Sequence, residues 1–360
     1  MASNSLGHFL KFTSFGESHG SAIGGVLDGF PAGIEIDYKF IQQQLERRKP
    51  DSKKGGTERK EDDEVEWLSG VYENKTTGAP IAFLIKNKNQ RQGDYDALKN
   101  VYRPSHADYT WQKKYGLHDY KGGGRASARE TVVRVVAGAL AQLLLQNYNI
   151  ELLAGVSQIG KIKAKNTIND VSTYDIKQNS FGFIDSSRAN ELDQLINKLR
   201  KEGDSTGGII SCLIHNVPAG LGEPVYHKLQ ADLASAMMSI NSVKGFEYGE
   251  GFNAASMLGS DHNDEFEILN NEIRTKTNHS GGIQGGVTNG EDIYFSVGFK
   301  PVSSIHKSQQ TVNAKKEPEK ITISGRHDVC IVPRALPIVE SMAALVIADF
   351  LLWAKTSSVS

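Results

Sequence analysis

Cysteine is scarce in this chain of 360 residues, which contains only Cys212 and Cys330. Two cysteines cannot build the disulfide framework of a small secreted protein. Each lies in a short apolar run, so we expect buried thiols in a reducing cytosol, with a reactive cysteine as the alternative. No pair of histidines or cysteines has the short spacing of a zinc site, and we therefore predict no metal centre.

Long apolar runs and an excess of one charge are also missing. The most apolar stretch, residues 337–354, is interrupted by Glu340 and Asp349, and residues 132–145 contain Arg134 and are too short to cross a bilayer. The N-terminus lacks the basic head and apolar core of a secretion signal. The net charge of −1 gives no overall field that attracts nucleic acid or membranes. We expect a cytoplasmic protein whose anion sites depend on local clusters of Arg and Lys.

The composition suits a soluble protein with a sizeable core, since 39% of the residues are apolar and 23% are charged. No low-complexity linker divides the chain, which favours a single α+β domain over residues 1-360. Apolar spacing predicts helices at residues 37–50, 130–146, 189–201, 224–241 and 334–354. Strands are predicted at residues 9–15, 65–72, 80–86, 207–217, 293–300 and 321–324. Residues 49–63, 88–99 and 261–280 are polar and predicted to be loops.

Two parts of the chain follow the same plan. Residues 124–129 combine glycine and arginine and lead into an apolar helix, and residues 325–334 do the same before the C-terminal helix. Both helices are apolar on most faces, so each must be buried on most sides. The pattern predicts an internal duplication in which two buried helices pack side by side under sheets.

Three segments carry most of the chemistry. They read Gly-Glu-Ser-His-Gly at residues 16–20, Gly-Gly-Gly-Arg-Ala-Ser-Ala-Arg-Glu-Thr at residues 122–131, and Gly-Arg-His-Asp at residues 325–328. Glycine lets the backbone approach a ligand, arginine matches phosphate and carboxylate oxygens, and histidine and aspartate move protons. The combination indicates an enzyme that binds a substrate with several negative charges and needs an acid or a base.

Particular positions in these segments are candidates for that chemistry. Arg125 and Arg129 stand four residues apart before a helix, where free N–H groups favour anions; the alternative is solvated arginines that pair with Glu130. His19 follows a strand in a glycine turn, and His106 is near an arginine and an acid. Either histidine is a candidate for proton transfer, or an ordinary surface side chain.

Three further segments permit ligand contact. The glycines of residues 281–286 do not have the spacing of a dinucleotide fingerprint, but they allow close approach of a ligand. Residues 300–304 end a strand with one cation and two serine hydroxyls, which suits a phosphate or is an ordinary strand exit. The basic residues at 47–60 form either a solvated loop or a lid for an anionic substrate. Nucleic-acid binding is disfavoured because aromatic residues are not interleaved.

Taken together, these segments resemble the chorismate synthase family over residues 7–352. The resemblance implies a β-α-β sandwich with central helices between antiparallel sheets, and usually a homotetramer. It also implies a carbon–oxygen lyase of the shikimate pathway, in aromatic amino acid biosynthesis. The family performs the 1,4-anti elimination of phosphate from 5-enolpyruvylshikimate 3-phosphate to chorismate, and needs reduced FMN although there is no net redox change.

The resemblance also implies roles for individual residues. His19 protonates or stabilises the departing phosphate, His106 holds the anionic reduced flavin, and Asp328 relays the proton at flavin N5. Substrate-binding positions are Ser18, Arg48, Arg103, Ser127, Arg129 and Arg334. Flavin-binding positions are Arg125, Ala126, Ser127, Asn241, Ser242, Gly285, Lys300, Pro301, Val302, Ser303, Ser304 and Arg326. Arg48 and Lys54 match NADPH positions, which matter only if the protein reduces its own flavin.

Three small residues depart from the family pattern. Ala126 replaces a common serine, Ser105 a common glycine and Ser242 a common alanine, so the hydrogen bonding of the flavin pocket is expected to differ. Two other functions stay open at this point. One is a flavin oxidoreductase that uses NADPH. The other is a binding protein without catalysis, for phosphorylated ligands or, through the basic loop, for nucleic acid.

Overall fold

The computed structural model describes residues 4–51, 55–56, 63–87, 100–117, 119–120, 123–323 and 327–357. Its helices are α1 (Tyr38–Arg48), α2 (Asp108–Tyr115), α3 (Thr131–Gln146), α4 (Thr173–Ile176), α5 (Ala189–Glu202), α6 (Leu229–Met238), α7 (Gly259–His262) and α8 (Val332–Ala354). Its strands are β1 (Ser5–Leu6), β2 (Lys11–Gly16), β3 (Ala22–Asp28), β4 (Val65–Ser69), β5 (Val71–Tyr72), β6 (Lys75–Thr76), β7 (Ile81–Lys86), β8 (Glu151–Ile159), β9 (Ile162–Lys163), β10 (Gly208–His215), β11 (Val243–Tyr248), β12 (Phe266–Leu269), β13 (Glu272–Thr275), β14 (Ile283–Gln284), β15 (Val287–Thr288), β16 (Ile293–Phe299), β17 (Gln309–Val312) and β18 (Pro318–Ile321).

The N-terminal half of the chain builds an antiparallel sheet in the order β1-β2-β3-β7-β4. Side chains alternate between its faces, as the two-residue period of a strand requires. In β7, Ile81, Phe83 and Ile85 are buried while the residues between them are partly exposed. Phe12 lies opposite Leu27 in the register of β2 and β3, and both are buried. The sheet therefore has one face on the core.

A second antiparallel sheet has the order β11-β16-β10-β8-β9. Its strand β16 alternates in the same way, with Ile293, Phe295 and Val297 buried. Strand β10 is buried over most of its length, which matches its almost continuous apolar sequence. Cys212 lies at its centre, and burial raises the pKa of this thiol well above its usual range. Cys330 is also buried and free, and burial raises its pKa to about 12.

The two apolar helices predicted from the sequence lie between the sheets. Helices α3 and α8 pack against each other; α3 also contacts β2 and β3, whereas α8 contacts β8 and β10. Helices α1 and α6 flank this pair. The predicted sandwich of central helices between antiparallel sheets is thereby confirmed. The internal duplication itself stays a prediction.

Helix α8 is long and apolar enough to cross a membrane by length and composition alone. However, 94% of its most apolar window is buried inside the protein. Its two carboxylates have protein partners: Glu340 pairs with Arg47, and Asp349 accepts backbone N–H bonds from the loop after β1. A buried core helix can therefore have the same length and apolar composition as a membrane span.

The crossing of α3 and α8 depends on a glycine. A Cβ atom added at Gly138 would lie 2.1 Å from Cβ and 2.3 Å from Cα of Ser341. We expect Gly138→Ala to lower the free energy of unfolding by about 1–3 kcal/mol, because the helices must separate, although alanine favours a helix. Urea denaturation measures the effect. Gly259→Ala is the matched control, since that helical position has nothing within 4 Å; an equal loss there would contradict the packing explanation.

Three predicted segments were wrong in part. The helix expected over residues 224–241 covers only Leu229–Met238, because residues 223–227 form a closed turn and the hydroxyl of Ser239 donates to the carbonyl of Ala236. The strand expected over residues 321–324 lies instead at Pro318–Ile321. The polar segment 261–280 is not only a loop, since it contains the end of α7 and the hairpin of β12 and β13. Asn270 and Asn271 connect these strands with positive φ angles of 50° and 65°. Paired asparagines between alternating apolar residues were the available hairpin signal.

Candidate active site

A cavity of about 1190 Å³ opens beside the N-terminal ends of α3 and α8. Its size exceeds that of a site for a single drug-sized ligand, which is roughly 300–1,000 Å³. The predicted site residues on its wall are Arg48, His106, Arg125, Ala126, Ser127, Asn241, Ser242, Lys300, Val302, Ser303, Ser304, Asp328 and Arg334. These positions come from distant parts of the chain, and the fold brings them to one place. Their roles stay predictions.

The glycine segment before α3 forms one wall of this cavity. Gly123 and Gly124 have positive φ angles of 84° and 52°, a conformation that glycine adopts at little cost. A Cβ atom at Gly123 would lie 3.4 Å from Cε1 of His106, so the absence of a side chain lets the turn approach the histidine ring. The chain then makes two short 3₁₀ turns, Gly124–Ala126 and Ala128–Glu130, and enters α3.

Arg125 is held by neutral groups on this wall. Its Nη2 donates to Oγ of Ser14 at 2.7 Å and to Oδ1 of Asn4 at 3.2 Å, and its Nη1 donates to the carbonyl of Gly16 at 3.3 Å. No carboxylate contacts it within the part of the chain that the structure describes. Its positive charge is therefore not cancelled by an ion pair, although its position is fixed.

His106 is oriented by a buried carboxylate. Its Nδ1 lies 2.8 Å from Oδ1 of Asp108, and Arg103 donates to the same carboxylate from Nε at 2.8 Å and from Nη2 at 2.7 Å. Burial alone would raise the pKa of Asp108, but hydrogen bonds from Arg103 and His106, and their charges, hold that pKa well below its usual value. Nη2 of Arg103 also lies 3.1 Å from Nδ1 of His106, but the carboxylate is closer and can only accept, so we assign the proton to Nδ1, which leaves Nε2 for a ligand.

The loop of His106 is tied to the exit of β16 through the backbone of Ser105. The carbonyl of Ser105 accepts from Oγ of Ser303 at 3.0 Å and from Nζ of Lys300 at 3.4 Å. Lys300 also donates to Oγ of Ser303 at 2.6 Å. Burial and the nearby charge of Lys244 lower the pKa of Lys300. Within the described residues Lys300 contacts no carboxylate, so this corner has a second cation without an acidic partner.

Ser105 adopts a backbone conformation that suits glycine, with a φ of 60°. We expect Ser105→Gly to raise the free energy of unfolding by about 0.5–1 kcal/mol, because the left-handed penalty of a Cβ atom outweighs the extra entropy of unfolded glycine. The urea midpoint at constant m-value measures this gain. Ser127→Gly is the control with the opposite expected sign, since φ is −72° there and the hydroxyl caps a turn. A loss of stability in Ser105→Gly would contradict the interpretation that the backbone of Ser105 is strained.

Two predicted substrate-binding arginines meet at a carboxylate that sequence reasoning missed. Nη2 of Arg48 donates to Oδ2 of Asp63 at 2.8 Å, and Nη1 of Arg129 donates to Oδ1 at 2.5 Å. Arg48 is only 1% exposed. Burial by itself would raise the pKa of Asp63, but the charges and hydrogen bonds of Arg48 and Arg129 hold it below its usual value. Asp63 is placed to set the positions of both arginines.

Asn87 joins this arginine pair to the predicted Ser18–His19 turn. Its Oδ1 accepts from Nε of Arg129 at 3.1 Å, while its Nδ2 donates to the carbonyls of Glu17 and Gly20 at 3.0 and 2.9 Å. Within the turn, Oγ of Ser18 lies 3.1 Å from Nδ1 of His19. Glu17 lies on the cavity wall, whereas the neighbouring Ser18 and His19 do not line it.

One ion pair lies at the N-terminal end of each central helix. Nη1 of Arg334 donates to Oδ2 of Asp328 at 2.5 Å, and its Nε donates to the carbonyl of Arg48 at 3.2 Å. At α3, Nη2 of Arg134 lies 2.7 Å from Oε1 of Glu130, and Nη1 donates to Ser239 at 2.7 Å. Sequence reasoning did not include Glu130 and Arg134 in the site, although both line the cavity.

The remaining predicted residues are placed elsewhere or are not described. Arg103 lies behind His106 and Arg129 lies at Asp63, and neither is on the cavity wall. Pro301 follows Lys300, and its carbonyl accepts from the Lys300 ammonium at 3.4 Å. Gly285 lies between β14 and β15 and does not line this cavity. Lys54 and Arg326 lie outside the described residues, as do Gly122 and Gly325 of the sequence motifs.

The chain is similar to known proteins over nearly its whole length. The family model described as chorismate synthase matches residues 10–352. The chorismate synthase of Parabacteroides distasonis is 55% identical over 353 residues, which is 98% of this chain and 99% of that protein. The chorismate synthase of Christiangramia forsetii is 53% identical over 359 residues, with 100% of both chains covered.

The fold is shared with a solved structure. A structure described as "Crystal Structure of Chorismate Synthase" superimposes with a TM-score of 0.77 at 29% identity, covering 96% of this chain and 93% of that one. Fold, motifs and relatives agree along nearly the whole length. The chain therefore belongs to the chorismate synthase family.

Proposed function

We propose that this protein eliminates phosphate from 5-enolpyruvylshikimate 3-phosphate in a 1,4-anti sense to give chorismate, with reduced FMN and no net redox change. This would make it a carbon–oxygen lyase at the last step of the shikimate pathway, which supplies aromatic amino acids. Membership of the family supports the proposal. The observation that carries it is one large cavity with an oriented histidine and two cations that have no carboxylate partner among the described residues.

The cations account for binding of an anionic substrate and cofactor. The substrate has one phosphate and two carboxylates, and FMN adds a second phosphate. Arg125 and Lys300 line the cavity with neutral partners, so an incoming anion need not displace an acid from either of them. Arginine and lysine in a partly dry site attract such oxygens strongly. Arg48 and Arg334, which also line the cavity, would add further contacts.

The residues present fit a flavin. The buried Oδ1 of Asn241 has no hydrogen-bond partner among the described residues, while its Nδ2 donates to the carbonyl of Ala126 at 3.0 Å. An acceptor in this position suits a ring N–H donor, and the cavity has room for a flavin beside the substrate. When bound, reduced FMN would supply electron density to the substrate as its phosphate leaves, and so assist loss of a poorly acidic proton.

The protein groups would control the protons. In the overall reaction the C–O bond breaks with its electron pair on phosphate, and a proton leaves carbon 6 as the new double bond forms. Nε2 of His106, with Nδ1 fixed by Asp108, would hydrogen-bond the cofactor. Asp328, held by Arg334, would relay the proton, and His19 would stabilise the departing phosphate.

Three further expectations complete the proposal. NADPH is required only if the protein reduces its own flavin, and Arg48, which pairs with Asp63, and Lys54 would then be its contacts. A homotetramer and a cytoplasmic location are also proposed from the family. Light scattering of the purified protein tests the tetramer.

The deciding experiment mixes purified protein, chemically reduced FMN and 5-enolpyruvylshikimate 3-phosphate without oxygen. Phosphate release and chorismate absorbance are followed together. We expect equal amounts of both, and neither with oxidised FMN. Substrate binding without turnover would overturn the lyase assignment. Steady NADPH oxidation in the absence of the lyase substrate would instead favour the flavin oxidoreductase.

A further inference from the structure

A cluster of two histidines and one aspartate lies outside the cavity. His8 is in the loop between β1 and β2, His227 precedes α6, and Asp232 is in the first turn of α6. One side-chain donor atom from each lies within 4.8 Å of the others. Oδ2 of Asp232 is 3.6 Å from Nε2 of His8 and 3.3 Å from Nδ1 of His227. Residues far apart in sequence therefore present three donors to one point.

Hydrogen bonds to Asp349 fix the backbone that carries His8. The buried carboxylate of Asp349 accepts N–H bonds from His8, Phe9 and Leu10 at 2.8, 2.7 and 2.8 Å. Gly7 before it has a φ of 90°, and a Cβ atom there would lie 2.0 Å from the carbonyl oxygen of Leu10. The loop has little freedom to move, so holding an ion would require little additional ordering.

The other half of the cluster is fixed by α6. The backbone N–H of Asp232 donates to the carbonyl of Lys228 at 3.1 Å, and the carbonyl of His227 accepts from Glu223 at 3.0 Å. The two residues thus stand on a closed turn and on the helix that follows it.

An aromatic wall closes one side of the cluster. The rings of His8 and His227 have centroids 4.1 Å apart, and both lie beside Trp353 of α8, at 5.3 and 5.7 Å. The side chains of His8, His227 and Asp232 are 40%, 41% and 24% exposed, so an ion can reach them from solvent. A restricted yet accessible donor set is what a metal site requires.

We propose that His8, His227 and Asp232 bind a divalent transition-metal ion, with Zn²⁺ the best match. Two imidazole nitrogens and one carboxylate oxygen suit zinc, whereas Mg²⁺ and Ca²⁺ prefer sets of oxygen atoms. Bonds of about 2.0–2.2 Å in a tetrahedron separate neighbouring donors by roughly 3.3–3.6 Å. The two donor separations at Asp232 are close to that range.

The bound ion would connect three elements of the fold. It would join the loop after β1 to α6 directly, and to the end of α8 through Trp353. Three protein ligands leave a fourth position for water or for a donor from another molecule. Because the cluster does not line the cavity, the main expected effect is on stability.

The test uses metal-stripped protein without a histidine tag. Co²⁺ is added first, and its visible absorption reports four-coordinate geometry; Zn²⁺ binding is then measured by calorimetry and by the rise in Tm. We expect a single ion per chain. His8→Ala, His227→Ala and Asp232→Asn should each weaken binding by at least about tenfold and remove most of the Zn²⁺-dependent rise in Tm. Circular dichroism confirms that each variant is folded.

A second grouping in the chain is the matched control. His262 and His279 lie near Glu250, with ring centroids 5.9 Å apart and Nδ1 of His279 3.0 Å from Oε1 of Glu250. Its donors are not as closely grouped as those at Asp232, so His279→Ala should bind Zn²⁺ like the wild type. Absence of stoichiometric binding by the wild type would overturn the proposal, and the cluster would then be an ordinary histidine–carboxylate network. Unchanged binding in His8→Ala and His227→Ala would overturn it as well.

Discussion

His106→Ala is expected to lower kcat by about 10²–10⁴-fold with reduced FMN and 5-enolpyruvylshikimate 3-phosphate. The ring is held by Asp108 through Nδ1, lies against Gly123 and lines the cavity, so its loss removes a positioned hydrogen-bonding and proton-carrying group. Anaerobic stopped-flow measurement of chorismate formation gives kcat. Circular dichroism and the urea midpoint should stay near the wild-type values, because the side chain is partly exposed.

The chain offers a matched control for this substitution. Nδ1 of His215 lies 2.8 Å from Oδ2 of Asp292, the same contact distance as in the His106–Asp108 pair, but His215 does not line the cavity. We expect His215→Ala to retain turnover within about twofold, since surface substitutions away from a site change little. Equal losses of kcat in both variants, or retained activity in His106→Ala, would refute the assigned role.

Asp63→Ala is expected to lower the free energy of unfolding by about 3–5 kcal/mol. Arg48 and Arg129 converge on this buried carboxylate, and its removal leaves two guanidinium groups without their shared acceptor. The same change should raise KM for the substrate more than it lowers kcat, because the arginines lose their fixed positions but keep their charge. Urea denaturation and steady-state kinetics measure the two effects separately.

The stabilisation by Asp63 should depend on pH. Its pKa is lower in the folded protein than in the unfolded chain, where an aspartate titrates near about 3.9. The carboxylate therefore stabilises the fold fully above that unfolded value, and the stabilisation is lost as pH falls through the folded value. The difference in free energy of unfolding between the wild type and Asp63→Asn should be constant from about pH 7 to 5 and shrink below about pH 4. A difference that does not shrink in acid would contradict the charge-based explanation.

An exposed pair tests whether burial is the reason for the large effect. Nζ of Lys276 lies 2.6 Å from Oε2 of Glu265, and the two side chains are 53% and 71% exposed. Water and salt screen such a pair, so Glu265→Ala should lower the free energy of unfolding far less than Asp63→Ala does. If Glu265→Ala and Asp63→Ala cost the same, burial of the arginine pair cannot be the cause.

Local patterns predicted much of the fold. Asp37 was expected to begin a helix, and its Oδ1 accepts the N–H of Phe40 at the start of α1. Apolar residues on nearly every side predicted that α3 and α8 are buried, and both lie between the sheets. Hydrophobic period and capping act over a few residues, so they can be read directly from the chain. The hairpin of β12 and β13 was missed because the segment around it is polar, which outweighed the signal of its paired asparagines.

The sequence predicted which residue types form the site, but not which of their side chains pair with one another. The glycine, arginine and histidine motifs, together with the family resemblance, identified 13 of the 32 residues on the cavity wall. Anion chemistry limits which residue types can serve such a site. Asp63 gave no signal, because an acid in a basic polar segment is unremarkable until Arg48 and Arg129 are seen to converge on it. Asn87 was also missed, because its contacts with Arg129 and with the turn of residues 17–20 appear only in the folded chain.

The sequence by itself determined the family, the buried central helices and the residue types of the site. Only the tertiary structure decided which charges meet: Arg48 with Asp63, His106 with Asp108, and His8 and His227 with Asp232. Helix and strand periods specify which face of each element is buried, whereas a contact between distant side chains depends on how the sheets pack around α3 and α8. The expectation that the chain has no metal centre rested on the absence of closely spaced ligands in the sequence, whereas the packing of the β1–β2 loop against α6 groups His8, His227 and Asp232 from distant positions.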